Sequence, residues 1–308
     1  MKIAILSGGV GGAKLLLGAS LAFEGAETTA IVNTGDDFRH LGLHVSPDVD
    51  TALYTLSGKA NRAQGWGREG ESWAFMTAVR SLGGEDWFNL GDGDLALHVL
   101  RSARLTGGEP LSAIIADFAQ SWGIGPRVLP MSDDTVATTV ETDEGVLEFQ
   151  RYFVARRCEP RALAIRFEGA AAARPAPGTV EAIAAADVIL IAPSNPLLSI
   201  DPILAVPGLR AALQAAGAPR IAVSPLIGGQ AVKGPTAKLM AELGLPVNNH
   251  AIADHYAGLI DGLLVDEADA RDALPIASHA VPTLMTDDAS KAAVARAAVA
   301  FASRIDRR

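Results

Sequence analysis

MKIAILSGGVGGAKL, residues 1–15, places a short apolar run directly before a glycine-rich loop and the start of a helical pattern. The apolar run at residues 3–6 has the length of a buried strand, and glycine occupies four of the five positions 8–12. Glycine lets backbone N–H groups approach an anion closely, and a helix N-terminus adds partial positive charge. The opening stretch therefore indicates either a phosphate-binding loop or a tight strand-to-helix turn without a ligand.

Four further apolar runs repeat this pattern along the chain. They end in glycine or small polar residues and read TTAIVNTGDD, DVILIAPSNP, RIAVSPLIGG and, less clearly, GLLVDEAD. Such runs are typical of buried parallel strands. Helical patterns fall between them at residues 12–23, 202–216 and 234–243. This alternation predicts an α/β fold with a Rossmann-like, doubly wound, mostly parallel sheet.

The middle of the chain departs from the alternation. Residues 51–124 are mostly helical in pattern, which predicts a helical insertion into a core formed by residues 1–50 and 125–308. The stretch TVATTVETDEGVLEFQRYFVARR then gives two alternating runs around a turn at residues 143–145, as in a β-hairpin. We expect residues 1–308 to form a single domain.

Composition limits the classes of function. The chain has 308 residues, of which 49% are apolar, and a formal charge of -9, so it can bury a large core. The acidic balance argues against nucleic-acid binding, which needs a basic surface. Cys158 is the only cysteine, which excludes an internal disulfide and a Cys/His zinc cluster. With no signal peptide pattern and no long apolar segment, we expect a cytoplasmic protein that does not enter a membrane.

Two well-known phosphate-binding patterns do not fit the opening loop. A dinucleotide fingerprint that starts at Gly9 has its second glycine at Gly11 but Lys14 at the third position. The second predicted strand ends at Asn33, where that fingerprint needs an acidic residue. A P-loop needs glycine before its lysine and serine or threonine after it, whereas alanine and leucine flank Lys14. NAD binding and ordinary ATPase chemistry are therefore disfavoured.

Polar residues follow several of the predicted strands. Ligands bind outside the carboxyl ends of the strands in open parallel sheets, so these residues are candidates for ligand binding. The candidates are Gly9, Gly11, Gly12, Lys14, Asn33, Ser194, Asn195, Gly228 and Gly229. Lys14, Arg127 and Lys233 are candidates to neutralise phosphate charge, although a lone cation near a turn is more often solvated surface.

Aspartate pairs occur in turn-like settings. They are Asp36 with Asp37, Asp48 with Asp50, Asp92 with Asp94, and Asp133 with Asp134. Such pairs suit Mg²⁺, which takes one or two carboxylates and completes its shell with water and phosphate. They also suit the orientation or deprotonation of a hydroxyl group. For any single pair the capping of a helix or turn is the more common role, and only clustering near strand ends favours function.

Eight strings of the sequence, taken together, resemble the CofD/FbiA family of 2-phospho-L-lactate or phosphoenolpyruvate transferases. They are GGVGGAKL, NTGDD, SPDVDTALYTL, WFNLGDGDLALH, RVLPMSDD, LEFQRYF, APSNPLLSI and SPLIGGQAVKGP, in order from Lys2 to about Asp288. The resemblance implies transfer of a phosphoenolpyruvyl or 2-phospho-L-lactyl group from a guanosine diphosphate-linked donor to the ribityl hydroxyl of the deazaflavin Fo. It also implies release of GMP, Mg²⁺ as cofactor, a role in coenzyme F-420 biosynthesis and a homodimer.

The resemblance also implies roles for individual residues. Asp48 and Asp50 are expected to bind the metal and orient the hydroxyl, and Asp36 and Asp37 to support the metal. Contacts with Fo are expected at Asp50 and Asn89, where family members often have lysine or another polar residue, so Asn89 is a departure. The loops expected to hold the nucleotide and its phosphates are residues 9–12, 194–196 and 228–229.

Two other classes of protein share parts of this pattern. A related family of uridine-sugar-nucleotide-binding regulators has the same core and glycine-rich start but no catalysis, and the strings SPDVDT and MSDD argue against it. A sugar-nucleotide or nucleotidyl enzyme on a similar sheet would use the same loop and metal without a deazaflavin pocket. Binding of Fo, which absorbs and fluoresces in the visible, separates the transferase from both.

Overall fold

The computed structural model describes residues 1–232, 234–271 and 273–305. The strands in these ranges are β1 (Lys2–Ser7), β2 (Glu27–Val32), β3 (Phe38–His40), β4 (Leu43–Val45), β5 (Arg127–Pro130), β6 (Ala137–Thr142), β7 (Gly145–Glu148), β8 (Ala162–Glu168), β9 (Val188–Ile191), β10 (Arg220–Val223), β11 (Leu226–Ile227), β12 (Gln230–Ala231), β13 (Gly262–Asp266) and β14 (Ala277–Val281).

The helices in the same ranges are α1 (Gly9–Ala22), α2 (Pro47–Leu56), α3 (Ala74–Ser81), α4 (Asp92–Thr106), α5 (Leu111–Ser121), α6 (Thr179–Ala185), α7 (Asp201–Ala205), α8 (Leu209–Ala215), α9 (Thr236–Glu242), α10 (Asn249–His255) and α11 (Asp288–Ala302). Short π-helical segments lie at Arg151–Ala155 and Pro196–Ile200, and short 3₁₀ segments at Ala170–Ala172 and Glu267–Asp269. Among the described residues no single helix is long and apolar enough to span a membrane; only the pair Pro196–Ala205 and Leu209–Ala215, bent by 91°, has that length and composition.

The main sheet confirms the predicted α/β, doubly wound architecture. Its order in the described part of the chain is β5-β2-β1-β9-β10-β13-β14, and every neighbouring pair is parallel. The chain winds outward from β1 through β2 to β5, and then returns to place β9 on the other side of β1. The carboxyl ends of β1 and β9 therefore flank the switch point of the sheet, where open sheets of this class bind ligands.

Both faces of the sheet are covered, which explains the nearly continuous apolar runs in the sequence. Ile3 and Ile5 of β1 point into one buried cluster, together with residues of α1, α2 and α11. Leu6 of the same strand belongs to the opposite cluster, which includes residues of α7, α8, α9 and α10. The two layers of helices hold the strand ends in fixed positions, and these ends carry the predicted ligand-binding loops.

The predicted helical insertion is confirmed, and it contains α2 to α5 between β4 and β5. Its first helix begins at Pro47, so the predicted boundary between residues 50 and 51 falls inside α2. Proline at the first helical position has a φ angle that suits the start of a helix. Phe38, Met76 and Leu90 form part of a small separate core under the insertion, with Trp87 packed against it. That residues 1–308 form a single domain stays a prediction.

The predicted hairpin is confirmed as β6 and β7, and β8 extends it to three antiparallel strands. The second strand is shorter than the alternating run suggests, because it ends at Glu148 and a π-helical segment follows. Phe149 and Tyr152, three residues apart, are both buried, and the ring of Phe149 stacks on that of Phe153 with centroids 5.5 Å apart. The burial of side chains at helical spacing therefore favours a helical segment here, although the apolar and polar residues alternate as in a strand.

Other elements differ from the sequence prediction in their limits. Helix α1 starts at Gly9, inside the glycine-rich loop, where residue 12 was expected. The helix predicted at residues 202–216 is divided into α7 and α8, because Gly208 has a φ angle of 97° that no helix can continue through. Strands β5 and β14 have no counterpart in the prediction, since RVLP has only two aliphatic residues between arginine and proline, and two of the five residues of ASHAV are polar.

Candidate active site

Two elements bring predicted carboxylates together at the carboxyl edge of the sheet. Strand β2 ends at Val32, and the turn that follows is fixed by Asn33, whose Oδ1 accepts from the backbone N–H of Gly35 at 2.8 Å. The β3–β4 hairpin then returns the chain to this edge, where α2 begins. Asp48 lies in the first turn of α2 and its Oδ2 accepts from Nδ2 of Asn33 at 3.0 Å. The turn after β2 and the start of α2 therefore meet directly.

Asp36, Asp37 and Asp48, which we call the carboxylate cluster, lie near enough to one another for their charges to interact, although their oxygens do not all lie within 4.8 Å of one another. Asp36 and Asp48 are each 6% exposed. Burial raises the pKa of Asp48 to about 6; hydrogen bonds from Asn33 and the backbone of Gly9 oppose this, and the charge of Asp37 adds to it. Burial, and then the charge of Asp48, raise the pKa of Asp36 well above its ordinary value. Negative charge on Asp36 and Asp48 is thus poorly compensated, whereas Oδ2 of Asp37 accepts from Ser46 Oγ at 2.7 Å and lies 3.0 Å from His44 Nε2.

Four oxygens around the carboxylate cluster are buried and have no hydrogen-bond partner among the described residues. They are Thr34 Oγ1, Asp36 Oδ1, Asp37 Oδ1 and Thr138 Oγ1. Thr138 reaches this region because its backbone N–H donates to the carbonyl of Gly35 at 2.7 Å. Buried polar atoms are nearly always satisfied, so these oxygens indicate that a ligand completes the site. Carboxylate and hydroxyl oxygens around uncompensated negative charge fit a hard divalent cation such as Mg²⁺.

The glycine-rich loop and the loop after β9 pack directly on each other. Gly8 donates its backbone N–H to Ser194 Oγ at 3.1 Å, and that hydroxyl donates to the carbonyl of Gly8 at 2.6 Å. A Cβ on Gly11 would lie 2.6 Å from the carbonyl oxygen of Pro193, so this position has no room for a side chain. Gly9 differs, because it has a φ angle of 64° and faces open space. Loop packing explains Gly11, whereas Gly9 leaves room for a ligand.

Asn195 adds a donor to the region where the glycine-rich loop meets the loop after β9, which we call the crevice. Its Oδ1 accepts from the backbone N–H groups of Leu197 and Leu198 at 2.9 and 3.2 Å. Its Nδ2 is buried and has no partner in the part of the chain that the structure describes. A buried donor beside the N-terminus of α1 suits a phosphate oxygen, because both offer N–H groups to an anion.

Helix α1 carries two more predicted residues. A Cβ on Gly12 would lie 2.3 Å from Ser7 Oγ, so glycine is needed for the close approach of α1 to the end of β1. Lys14, two residues further, donates from Nζ to the carbonyl of Met285 at 2.7 Å. That contact joins α1 to the segment between β14 and α11.

Other predicted residues lie apart from the carboxylate cluster. Gly228 and Gly229 form the two-residue turn between β11 and β12, with the positive φ angles of 59° and 70° that such a turn needs. Asn89 is exposed in the insertion and accepts a hydrogen bond from Arg80. Lys233 lies outside the described residues.

Asp50 lies in the same helical turn as Asp48 but faces a different partner. Arg101 of α4 donates from Nη1 to Oδ2 of Asp50 at 3.1 Å and from Nη2 to Oδ1, so both carboxylate oxygens accept from one guanidinium group. Arg101 is 0% exposed. Burial raises the pKa of Asp50, and the charge of Arg101 opposes this. The structure thus separates the predicted pair: Asp48 belongs to the carboxylate cluster and Asp50 to an ion pair.

Further residues of α2 and α4 surround this ion pair. Tyr54 donates its hydroxyl to Asp94 Oδ1, and His98 Nε2 lies 3.1 Å from Asp94 Oδ2. Asp50, Asp94 and His98 have potential ligand atoms within 4.8 Å of one another. Sequence reasoning did not single out Arg101, His98 or Tyr54. The signal available was the spacing of Asp94, His98 and Arg101, which places them along one face of a helix.

The remaining aspartate pairs have structural roles. Asp92 accepts from the backbone N–H groups of Ala74 and Phe75, both at 3.0 Å, and so satisfies the start of α3. Asp133 accepts from the backbone N–H of Ser112 at 2.7 Å at the start of α5. Asp134 accepts from the backbone N–H of Arg174 at 2.8 Å. These contacts are the capping and turn roles that aspartate commonly has.

A cavity of about 370 Å³ adjoins the crevice on the far side of the segment that follows Asn195. Its walls are mostly apolar and include Pro196, Leu197, Met240, Leu245 and Ile252, with Asn248, His250, Asp254 and His255 among the polar residues at its lining. His255 is held by Asp201, whose Oδ1 lies 2.9 Å from Nε2. The carboxylate cluster is not part of the cavity lining, so the polar and the apolar parts of this region are formed by different residues.

Comparison with known proteins places this architecture in a family. Residues 3–299 match the family model described as 2-phospho-L-lactate transferase CofD. A protein of Kitasatospora aureofaciens named phosphoenolpyruvate transferase is 48% identical over 318 residues, and one of Streptomyces griseus subsp. griseus with the same name is 45% identical over 316 residues. Each alignment covers 99% of this chain and 99% of the relative. A third, from Thermobifida fusca, is 42% identical over the whole of both chains.

Solved structures of a protein from Bacillus halodurans, described as a member of the UPF0052 family, share the fold. The two structures give TM-scores of 0.62 and 0.64 at 20% identity and cover 97% of this chain and at least 99% of theirs. At this identity the likeness shows the fold alone. The match along nearly the whole chain and the identity to the three relatives carry the assignment: this chain is a transferase that belongs to the CofD family.

Proposed function

We propose that this protein transfers a phosphoenolpyruvyl, or a 2-phospho-L-lactyl, group from a guanosine diphosphate-linked donor to the terminal ribityl hydroxyl of Fo in coenzyme F-420 biosynthesis. The names of the relatives favour the phosphoenolpyruvyl form. The observation that carries the proposal is the carboxylate cluster with its unpartnered buried oxygens beside the N-terminus of α1. Such a site joins a cation-binding half to an anion-binding half, as the transfer of a phosphorylated group needs.

Different groups in and around the crevice bind the donor and orient the acceptor. The backbone N–H groups at the start of α1 and Nδ2 of Asn195 bind the donor's phosphate oxygens. The apolar walls of the neighbouring cavity offer space for the nucleoside part of the donor. Asp50, fixed by Arg101, accepts a hydrogen bond from the Fo hydroxyl and orients it. The hydroxyl oxygen then bonds to the phosphorus farther from guanosine, its proton passes to the Asp50 carboxylate, and GMP leaves with the electron pair of the broken P–O bond.

The carboxylate cluster is the proposed site of Mg²⁺. Asp36, Asp37 and Asp48 would hold the ion, because they are buried together and two of them have a raised pKa in its absence. Bound Mg²⁺ neutralises the carboxylates and the charge that develops on the phosphates. Asp50 stands outside this set, since the positive guanidinium group of Arg101 lies against both its oxygens and disfavours a second cation there. The proposal thus assigns metal binding to three of the four predicted aspartates and hydroxyl orientation to the fourth.

A mass-spectrometric assay tests the proposed reaction. Purified protein, Fo and Mg²⁺ are incubated with the phosphoenolpyruvyl and 2-phospho-L-lactyl donors in separate reactions. The expected result is Fo enlarged by the transferred group, with one GMP released per product and no product after chelation of the metal. Asp48→Asn is expected to lower the rate at least about 100-fold, because it removes one charge from the metal site. No product from either donor, together with tight binding of a uridine sugar nucleotide, would instead support the regulator alternative.

The homodimer is also a proposal, and it rests on the family resemblance alone. Light scattering during size-exclusion chromatography measures the mass of the protein in solution directly. A mass near twice 31.9 kDa is expected, and a mass near 31.9 kDa at micromolar concentration would contradict the proposal.

A further inference from the structure

We propose that Arg101 is a positioning residue that fixes Asp50 toward the acceptor, as part of a ring of side-chain contacts that joins α2 to α4. The inference rests on the proposed function, because it assigns Asp50 to the acceptor side of the site. The ring runs from Asp50 through Arg101, His98 and Asp94 to Tyr54, and returns to α2.

The first half of the ring is the ion pair. The planar guanidinium group of Arg101 meets both oxygens of Asp50, so it sets the plane of the carboxylate as well as its position. Nη1 also lies 3.4 Å from the carbonyl oxygen of His44, just before α2 begins. A lysine ammonium group keeps the charge but has no fork that can hold both oxygens in one plane.

The second half of the ring returns to the same helix. Nη1 of Arg101 lies 3.4 Å from Nδ1 of His98, and Nε2 of that histidine lies 3.1 Å from Oδ2 of Asp94, at ion-pair distance but without the geometry of a hydrogen bond. Tyr54, one turn after Asp50 on α2, donates to the other oxygen of Asp94. Burial would raise the pKa of Asp94, but the close approach of His98 and the hydrogen bond from Tyr54 outweigh it, and the pKa is lowered.

Attachment at two points sets the rotation of α2. Asp50 and Tyr54 are four residues apart and therefore lie on one face of the helix, and both are tied to α4 through the ring. With that face fixed, Asp48 points to the carboxylate cluster while Asp50 stays out of it. A rotation of α2 would break both attachments at once.

A cation at Asp50, Asp94 and His98 is the competing explanation for these side chains, since their ligand atoms lie within 4.8 Å of one another. The guanidinium group of Arg101 already accounts for both oxygens of Asp50 and compensates its charge. Buried ion pairs of this kind often add little net stability, and their best-attested use is to specify one arrangement. The ring therefore fits a positioning role better than a second metal site.

The test is a double-mutant cycle read by the fluorescence of Fo during titration. Arg101→Lys and Asp50→Asn are each expected to weaken Fo binding at least tenfold. The double variant is expected to bind within twofold of Asp50→Asn alone, because Arg101 acts only through Asp50. The matched control is Arg220→Lys, which alters another buried Arg–Asp pair: Arg220 donates to both oxygens of Asp261, on a different part of the sheet. That variant is expected to bind Fo within twofold of the wild type.

Three results would overturn the inference. The first is unchanged Fo binding by Arg101→Lys. The second is a double variant whose loss of Fo affinity equals the product of the two single losses. The third is stoichiometric binding of Mn²⁺ or Zn²⁺ that is lost on His98→Ala. If Arg101→Lys does not fold, Tyr54→Phe tests the same ring with a smaller change. It is expected to weaken Fo binding at least threefold, and unchanged binding would contradict the ring.

A second readout separates this inference from the proposed function. If the wild-type protein does not bind Fo, the proposed function fails, but hydrogen exchange still tests the ring. Arg101→Lys is then expected to speed exchange of the backbone amides of Pro47–Leu56 at least tenfold, whereas Arg220→Lys leaves them unchanged. Equal effects of the two variants would show that the ring does not hold α2.

Discussion

At the scale of single residues, Asp48 and Asp50 show how neighbours with the same side chain acquire different chemistry. Asp48 accepts from the neutral amide of Asn33 and lies near other carboxylates, whereas Asp50 meets a guanidinium group. Their residue type and spacing identified both as functional candidates. The difference between them depends on Arg101, which is 51 positions from Asp50 along the chain. Nothing in the sequence near Asp50 specifies that contact.

The raised pKa of Asp48 makes the metal-free protein less stable at high pH. Because the folded protein holds this proton more tightly than the unfolded chain, the contribution of Asp48 to stability is complete below pH 3.8 and is lost as the pH rises through about 6. Asp48→Asn should therefore stabilise metal-free protein at pH 8 by up to ~3 kcal/mol and have little effect near pH 4. Urea unfolding in the presence of a chelator, at both pH values, measures the difference. An equal effect at the two pH values would contradict the burial of an ionised Asp48.

Alanine substitutions at two glycines of the opening loop should affect the free energy of unfolding and GDP binding to different extents. Gly11→Ala places a Cβ 2.6 Å from the carbonyl oxygen of Pro193, and we expect it to lower the free energy of unfolding by about 3 kcal/mol. Gly9→Ala meets open space, so only its φ angle of 64° opposes the change, at about 1 kcal/mol. The second variant should lose GDP binding more strongly than stability. Urea unfolding and calorimetric titration with GDP measure both quantities, and the reverse order would contradict the assigned roles.

At the scale of elements, the sequence predicted the strands better than the helix limits. Strands β1, β2, β9, β10 and β13 are buried on both faces, so their apolar runs are clear. Helix α2 was not predicted to begin at Pro47, although proline at that position is a recognised start signal. The consequence is functional, since the early start places Asp48 and Asp50 in the first helical turn.

Helix capping accounts for the aspartates that lie outside the site. Asp133→Ala should remove the cap of α5 and lower the free energy of unfolding by about 1 kcal/mol, because the backbone N–H of Ser112 loses its acceptor. The same variant should leave Mn²⁺ affinity unchanged. Thermal or urea unfolding, compared with a metal titration of the same sample, checks both. A loss of metal affinity without a loss of stability would return Asp133 to the list of metal ligands.

At the scale of the whole molecule, the doubly wound sheet offers a chain of net charge -9 a place for the proposed diphosphate donor. The switch point between β1 and β9 brings two loops and the N-terminus of α1 together, and their N–H groups supply local positive potential. The alternation of strands and helices was enough to predict the sheet, and with it the edge that carries the candidate site. The ring around Arg101 was not predictable, because it depends on how the insertion packs on the core.

The central claim is that Asp36, Asp37 and Asp48 form one divalent-cation site from which Asp50 is excluded. Calorimetric titration with Mn²⁺ in the presence of GDP tests it most directly, using the wild type, Asp48→Asn and Asp50→Asn. We predict one bound ion per chain for the wild type, at least a tenfold loss of affinity for Asp48→Asn, and a change of less than threefold for Asp50→Asn. Equal losses in the two variants, or no binding by the wild type, would contradict the claim.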